Sequence, residues 1–219
     1  MKTNVLGIST SPRKSGNSDL LLKKALAGAE STGADVEYLN LNDYKINPCI
    51  ECNLCYKKGR CVVKDDYQQI LEKLLKADRL IFATPVFFMS VCAQAKILID
   101  RGQCLWAEKY VLQKSDKPPQ RPVDESGLLS VDSRLAMVIA VGGSRSVRQF
   151  ACIRLTFKAY FDGLRAKYVS GLFVGKVDEF GAIEKHPTAF NEAYRLGAML
   201  ASPDTPLPDK PLNVEIIET

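Results

Sequence analysis

Histidine is almost absent from this chain. His186 is the single one in 219 residues. That excludes a metal centre built on imidazole ligands and most histidine-based acid–base chemistry. No stretch approaches the ~20 apolar residues of a membrane span. The first apolar run, Val5 to Ile8, is too short for a signal peptide, so the expectation is a cytoplasmic protein with no membrane partner. Excess charge is small: 30 basic against 25 acidic residues leave +5. It is dispersed along the chain and argues for no nucleic-acid partner. Internal repeats and low-complexity tracts are also missing. What is present is apolar content, 46%, enough for one large core.

Short apolar runs alternate with amphipathic stretches. Strands are expected at 3–8, 35–41, 79–84, 135–141 and 166–174. Helices are expected at 18–30, 65–77, 93–102, about 146–164 and 187–200. Asp65 or Asp66 is the expected N-cap of the second helix, and Pro85 and Gly142–Gly143 are expected to close their strands. Strands that read as apolar runs between helices imply a parallel sheet covered on both faces. The fold class is therefore α/β: a flavodoxin-like, doubly wound, five-stranded parallel sheet of order 2-1-3-4-5. A Rossmann dinucleotide fold competes, but no GxGxxG follows the first strand. Residues 1–201 form the expected domain, with a cysteine-rich loop at 47–64. Residues 103–134, polar and holding "SDKPPQRP", are expected as a long excursion. Residues 202–219 carry four prolines and then "NVEIIE", and are expected as an extended arm reaching a partner.

Ligands of open α/β sheets bind beyond the carboxyl ends of the strands, and three loops there carry unusual residues. "STSPRKSGNSD", 9–19, places hydroxyls, an amide, Arg13 and Gly16 just ahead of a helix. Free N–H groups and a partial positive charge at that helix end favour a phosphate. The loop lacks the GK[ST] of a Walker A motif. "TPVFFMS", 84–90, can flank a flat apolar ring, and "GGSRS", 142–146, lets a backbone approach a ligand closely. Taken singly, these are also an ordinary capped turn, core packing and a turn. Together they describe one anion and one flat ring, which suits FMN rather than FAD because no second mononucleotide signature is present.

"GISTSPRKSGNS" and "FATPVFFMSVCAQAKILIDR" resemble the phosphate loop and flavin-ring segment of the NADPH-dependent FMN reductase family. With the cysteine run between them, the chain resembles its iron-sulfur flavoprotein branch, from about residue 2 to 101 and more weakly at 135–144 and 181–200. The resemblance implies that Ser9, Ser11, Arg13, Asn17 and Ser18 hold the FMN phosphate. It places Pro85, Val86, Phe87 and Phe88 along the isoalloxazine, with Gly142 and Gly143 across from them. Thr10 stands where the family often has glycine, and Phe87 where it often has tyrosine. Asp100 and Arg101 match the family's terminal pair on that helix and read as an ion pair or packing.

Four of the seven cysteines lie within "NPCIECNLCYKKGRC", 47–61. A reducing compartment and an odd count argue against a disulfide framework. The gaps before Cys52, Cys55 and Cys61 resemble the short-gap ligand runs of bacterial-type ferredoxins, whereas zinc ribbons use two separated CxxC knuckles. Cys49, Cys52, Cys55 and Cys61 are the expected ligands of a 4Fe-4S cluster, as in the resembling branch. Zinc and free redox-active thiols remain as alternatives. Cys92, Cys104 and Cys152 read as core residues, and Trp106 as a packing or interface residue.

The expected function is an FMN and 4Fe-4S electron-transfer oxidoreductase with no protein general acid or base. Ferredoxin or NAD(P)H would supply the electrons. By the resemblance, cluster loops and sheet ends meet across subunits, implying a homodimer or homotetramer. The alternatives are an NAD(P)H-dependent FMN or quinone reductase with a structural cysteine loop, and a flavin-free metal or redox-sensing module.

Overall fold

The computed structural model describes residues 2–112, 134–203 and 208–217. Six parallel strands form one sheet: β1 (Asn4–Ser9), β2 (Asp35–Asn40), β3 (Arg79–Phe87), β5 (Leu135–Val141), β6 (Lys167–Val174) and β7 (Leu212–Ile216). Their order is β2-β1-β3-β5-β6-β7, and the two-residue β4 (Ser90–Val91) pairs antiparallel with the end of β3. The first five parallel strands reproduce the expected 2-1-3-4-5 order. Five of the six residues of β1 and all seven of β5 are buried, as strands covered on both faces require.

The helices split between the two faces. On one side α1 (Asn17–Glu30) and α7 (Ala189–Ala201) set Leu21, Leu22, Ala25, Leu196 and Leu200 against Val5, Ile81 and Met137. On the other, α3 (Tyr67–Lys76), α4 (Ala93–Arg101) and α6 (Ala151–Gly163) set Tyr67, Ile70, Leu98, Phe157 and Phe161 against Leu6, Leu80 and Phe82. Alternation along β3 serves both: Leu80 and Phe82 face one layer, Ile81 and Ala83 the other. Helices α1 and α7 cross with their backbones touching. A Cβ on Gly28 would overlap the Tyr194 carbonyl, and one on Gly197 the Ala25 carbonyl.

Three expectations change. Among the described residues the sheet has seven strands, not five, because β4 folds back on β3 and the tail supplies β7. The tail is not a free arm: Ser170 to Val174 of β6 pair in register with Leu212 to Ile216. Pro85 does not close β3. It still pairs with Val141, and the strand runs on to Phe87 because Val86 and Phe87 find new partners in Val91 and Ser90. The α3 cap falls where expected: Asp66 occupies the cap position, and the side-chain bond comes from Asp65, whose Oδ1 accepts from Tyr67 N (3.1 Å). The Ser146 hydroxyl accepts from Arg148 N and opens a 3₁₀ turn, Val147–Phe150, ahead of α6. His186 is half-buried, and its Nδ1 accepts from Ala189 N (3.1 Å) at the start of α7.

Of the expected excursion, α5 (Gln103–Trp106) and a π-type turn, Ala107–Val111, extend α4. Residues 113–133 lie outside the described residues, as do 204–207 and 218–219 of the tail. Among the described residues no helix is long and apolar enough to cross a membrane.

Candidate functional site

The chain leaves β1 at Ser9 and reaches α1 through a tight loop. The Thr10 hydroxyl donates to Ala83 O (2.9 Å) and pins the loop to β3. The Ser11 hydroxyl accepts from Arg13 N (3.1 Å) and donates to Arg13 O (3.0 Å). Ser15 takes a left-handed backbone, φ 56°, and its N–H donates to Asp19 Oδ2 (3.1 Å). Gly16 caps α1 with extended backbone and no side-chain bond. The positive end of the helix is therefore left uncapped by any side chain.

Ser18 sits in that first turn. It is 1% exposed, lines the cleft, and its Oγ has no hydrogen-bond partner in the protein. A buried hydroxyl without a partner is costly, and this one lies in the cleft wall, free to donate to a ligand acceptor. Asp19, directly behind, is fully buried and accepts from Tyr38 OH (2.6 Å) and Lys23 Nζ (3.0 Å). Burial pushes its carboxyl up, but the bonds from Tyr38 and Lys23 prevail and hold it below its ordinary value. Burial and the Asp19 bond push the Tyr38 phenol up to about 12.

The ring side of the cleft is made by Pro85, Val86 and Phe87 at the end of β3, and by Val141, Gly142 and Gly143 at the end of β5. Gly142 N donates to Val174 O (2.9 Å), and its own carbonyl accepts from Val177 N (3.1 Å). A Cβ at Gly142 would overlap the Gln149 side chain, so backbone alone forms this wall. Val177, Asp178 and Phe180, from the loop after β6, complete the cleft. The sequence reading missed them; the available signal was that this loop, too, leaves the carboxyl end of a strand.

Nine of the eleven residues expected around a flavin line this one cleft: Ser11, Arg13, Asn17, Ser18, Pro85, Val86, Phe87, Gly142 and Gly143. Two do not. Ser9 is fully buried beneath the loop, beside Asp19. Phe88 is wholly exposed at the β3–β4 turn, where it and Met89 take left-handed backbone, φ 46° and 64°. Asn17 lines the cleft, yet its amide Nδ2 donates to Glu179 O (2.8 Å) and its Oδ1 accepts from Ile183 N (3.3 Å). It ties α1 to the Phe180 loop.

The cysteine loop joins the same assembly. Asn42, which precedes it, donates from Nδ2 to Ser11 O (2.5 Å), and Lys14 pairs with Asp43 (2.9 Å). Cys49, Cys52, Cys55 and Cys61 all line one small cavity, folded by left-handed turns at Glu51 and Asn53 and by the short helix α2 (Cys55–Lys58). Burial pushes the Cys55 thiol up, and repulsion from Cys49, Cys52 and Cys61 adds to it. Among the described residues no three His, Cys, Asp or Glu donors close on a single metal ion.

Buried Cys104 lines the cavity as well. Cys92 is buried, its Sγ donating to Thr10 O (3.0 Å). Cys152 departs from expectation and is exposed on α6. Trp106 lies between Tyr56 and Tyr110, ring centroids 6.0 and 5.8 Å away, and is not part of the cleft.

At the floor of the cavity is Arg101, fully buried and bidentate to Asp65 (2.6 and 3.1 Å). This is the ion pair expected of Arg101, made across to the cysteine loop and not along its own helix. Asp100 pairs with Lys96 instead (2.7 Å). Burial raises the Asp65 carboxyl, but bonds from Arg101, Asn47 N and Tyr67 N outweigh it and bring it to about 2.

A parallel sheet with an uncapped helix N-terminus and a glycine wall on one rim defines a flavodoxin-like nucleotide-binding fold. The chain belongs to the NADPH-dependent FMN reductase family, whose sequence model matches residues 3–177, and to its iron-sulfur flavoprotein branch. It is 45% identical over 101 residues to an iron-sulfur flavoprotein of Methanocaldococcus jannaschii, covering 46% of this chain and 52% of that protein. The chain thus spans about half the length of that relative. An iron-sulfur flavoprotein of Methanosarcina thermophila is 28% identical over 184 residues, covering 84% of this chain and 83% of that one. An NAD(P)H:quinone oxidoreductase structure from Methanothermobacter marburgensis shares the fold, with TM-score 0.63, 16% identity, and coverage of 90% of this chain and 98% of that one.

Proposed function

We propose that this protein is an FMN and 4Fe-4S electron-transfer oxidoreductase. The observation that carries the flavin is the unpartnered, buried Ser18 hydroxyl at the uncapped start of α1. Ser18, Ser11, Arg13 and the first N–H groups of α1 hold the phosphate. Pro85, Val86 and Phe87 line one side of the ring, and Gly142 and Gly143 the other. Cys49, Cys52, Cys55 and Cys61 hold the cluster. The four thiols lining one cavity supply the thiolate set such a cluster would take. When bound, a flavin exchanges electrons singly or in pairs and a cluster moves them one at a time, so the pair can split a hydride equivalent.

The chain's own residues bind, orient and exclude water. Phe87 and Phe180 wall the cleft, and the Thr10 anchor keeps the phosphate loop on β3. Electrons come from ferredoxin or NAD(P)H in a reducing cytoplasm. The assembly is a homodimer or homotetramer, which the exposed apolar tip of Phe87, Phe88 and Met89 favours. A plain NAD(P)H-dependent FMN or quinone reductase is the second reading, favoured by the half-exposed Phe87 that leaves the cleft open to a hydride donor.

Protein purified without oxygen decides between them. Flavin absorbance bands with a broad shoulder in the blue, and bound iron and sulfide that fall in each of Cys49→Ser, Cys52→Ser, Cys55→Ser and Cys61→Ser, support the first reading. Flavin bands alone support the second. A colourless protein refutes both.

A further inference from the structure

The cysteine loop is long, and its thiols must converge on one small object. Closing such a loop has an entropic cost, and something must set its geometry. Both ends of the loop meet one side chain. Arg101 Nη1 donates to Asn47 O (2.8 Å), two residues before Cys49, and Nη2 donates to Val63 O (3.2 Å), two residues after Cys61. Asp65 accepts from the same guanidinium through both oxygens and from Asn47 N (2.8 Å) and Asn47 Nδ2 (3.2 Å). The Tyr67 ring lies beneath, 4.5 Å from the Arg101 Cζ. Gln68 Nε2 adds a second donor to Val63 O (2.6 Å).

A buried ion pair is weak evidence for stability, because apolar residues often do better in its place. Here every bond of the Arg101 guanidinium runs to a loop end or to Asp65, which itself holds Asn47. Only a planar fork spans two carbonyls and a carboxylate at once; a lysine ammonium is a point charge and does not. The loop ends are thereby fixed before any metal arrives, which is preorganisation of the ligand set. Arg101 also lines the cavity of the four cysteines and is the buried cation beside Cys61.

We infer that Arg101 and Asp65 form a buried clasp that holds the two ends of the cysteine loop together and so positions the four thiols for cluster assembly. Both are positioning residues, and the inference rests on the reading of those thiols as cluster ligands.

The test compares wild type with Arg101→Lys and with the charge-free double variant Asp65→Leu/Arg101→Met, which avoids a buried unpaired charge. FMN titration verifies that each is folded. Apoprotein is reconstituted anaerobically with ferrous iron and sulfide, and a chelator titration measures retention. Outer-shell partners are commonly worth about 10- to 100-fold in metal affinity, and a drop of that size is expected in both variants. The midpoint potential separates geometry from charge. Arg101→Lys keeps the cation, so its residual cluster stays near the wild-type potential while loading falls. Wild-type loading and retention in both variants overturns the clasp. If wild type takes up no cluster, the cluster reading fails instead, and alkylation decides the clasp alone. Iodoacetamide should then modify the half-buried Cys55 and Cys61 of either variant at least tenfold faster than those of wild type, and equal rates overturn it.

Discussion

Replacing Ser18 by alanine should have opposite effects on the free and the flavin-bound protein. Without ligand, the Ser18 hydroxyl is buried and unpartnered. An unsatisfied buried hydroxyl costs about 1–3 kcal/mol, so its deletion should stabilise the flavin-free protein by about 1 kcal/mol once the small cavity left behind is deducted. In a chain of this size that raises Tm by roughly 2–4 °C. With FMN, the same deletion removes a hydrogen bond to a charged phosphate, about 1.5–3 kcal/mol, or roughly a 10- to 150-fold rise in Kd. Two assays suffice: a thermal melt of flavin-free protein and a fluorescence titration with FMN. A variant that melts at or below wild type and binds FMN equally well refutes the reasoning, because the hydroxyl would then have neither an unmet bond nor a ligand.

Gly28→Ala should destabilise by about 1–3 kcal/mol through overpacking, seen as a lower denaturant midpoint with unchanged m-value, because its Cβ would overlap the Tyr194 carbonyl. The Asp65 carboxyl is depressed from 3.8 to about 2, with a side chain 5% exposed. Its stabilisation, about 2 kcal/mol, is therefore complete above pH ~4 and lost as pH falls through about 2; acid unfolding of Asp65→Asn should lack that segment of the curve. Arg13→Ala should weaken FMN binding and reduce its salt dependence, with the loss toward the low end of about 1.5–3 kcal/mol because Arg13 is exposed. Cys152→Ser should leave bound iron and sulfide at wild-type levels, since Cys152 is exposed on α6 and outside the cavity.

The sheet order was legible because each buried strand is an apolar run and each helix has a stripe, and the three cleft loops were legible because loops at strand ends are where such sheets bind, with the nine residues within them supplied by the family resemblance. What escaped was set by tertiary contact. Strand β7 alternates Val214 and Ile216 with Asn213 and Glu215, a pattern that fits a free amphipathic arm as well as an edge strand. Phe180 and Val177 reach the cleft through the Asn17 bridge to their loop, a pairing 162 residues apart that no local pattern announces. Cys104 sits in a helical stretch and reads as core, and it is; the same burial places it against the cysteine cavity. Arg101 looked like the end of its own helix, while its partners lie 36 and 54 positions away.

The contact between α1 and α7 has a mechanical consequence. Where side chains separate two helices, a rotamer change can absorb a small displacement. At Gly28 and Gly197 there is nothing to reorient, because backbone meets backbone. Helix α1 is therefore seated on a hard stop, and a continuous helix behaves as a stiff rod along its axis. Ser18 is ten residues up that rod, about 15 Å away. Any side chain that pries the crossing apart should shift the whole rod and carry the helix start with it, moving the anion end relative to the Gly142 wall, which is anchored to β5. The width of the cleft is thus gauged at a point remote from it, and residues 28 and 197 should affect FMN affinity without touching the ligand.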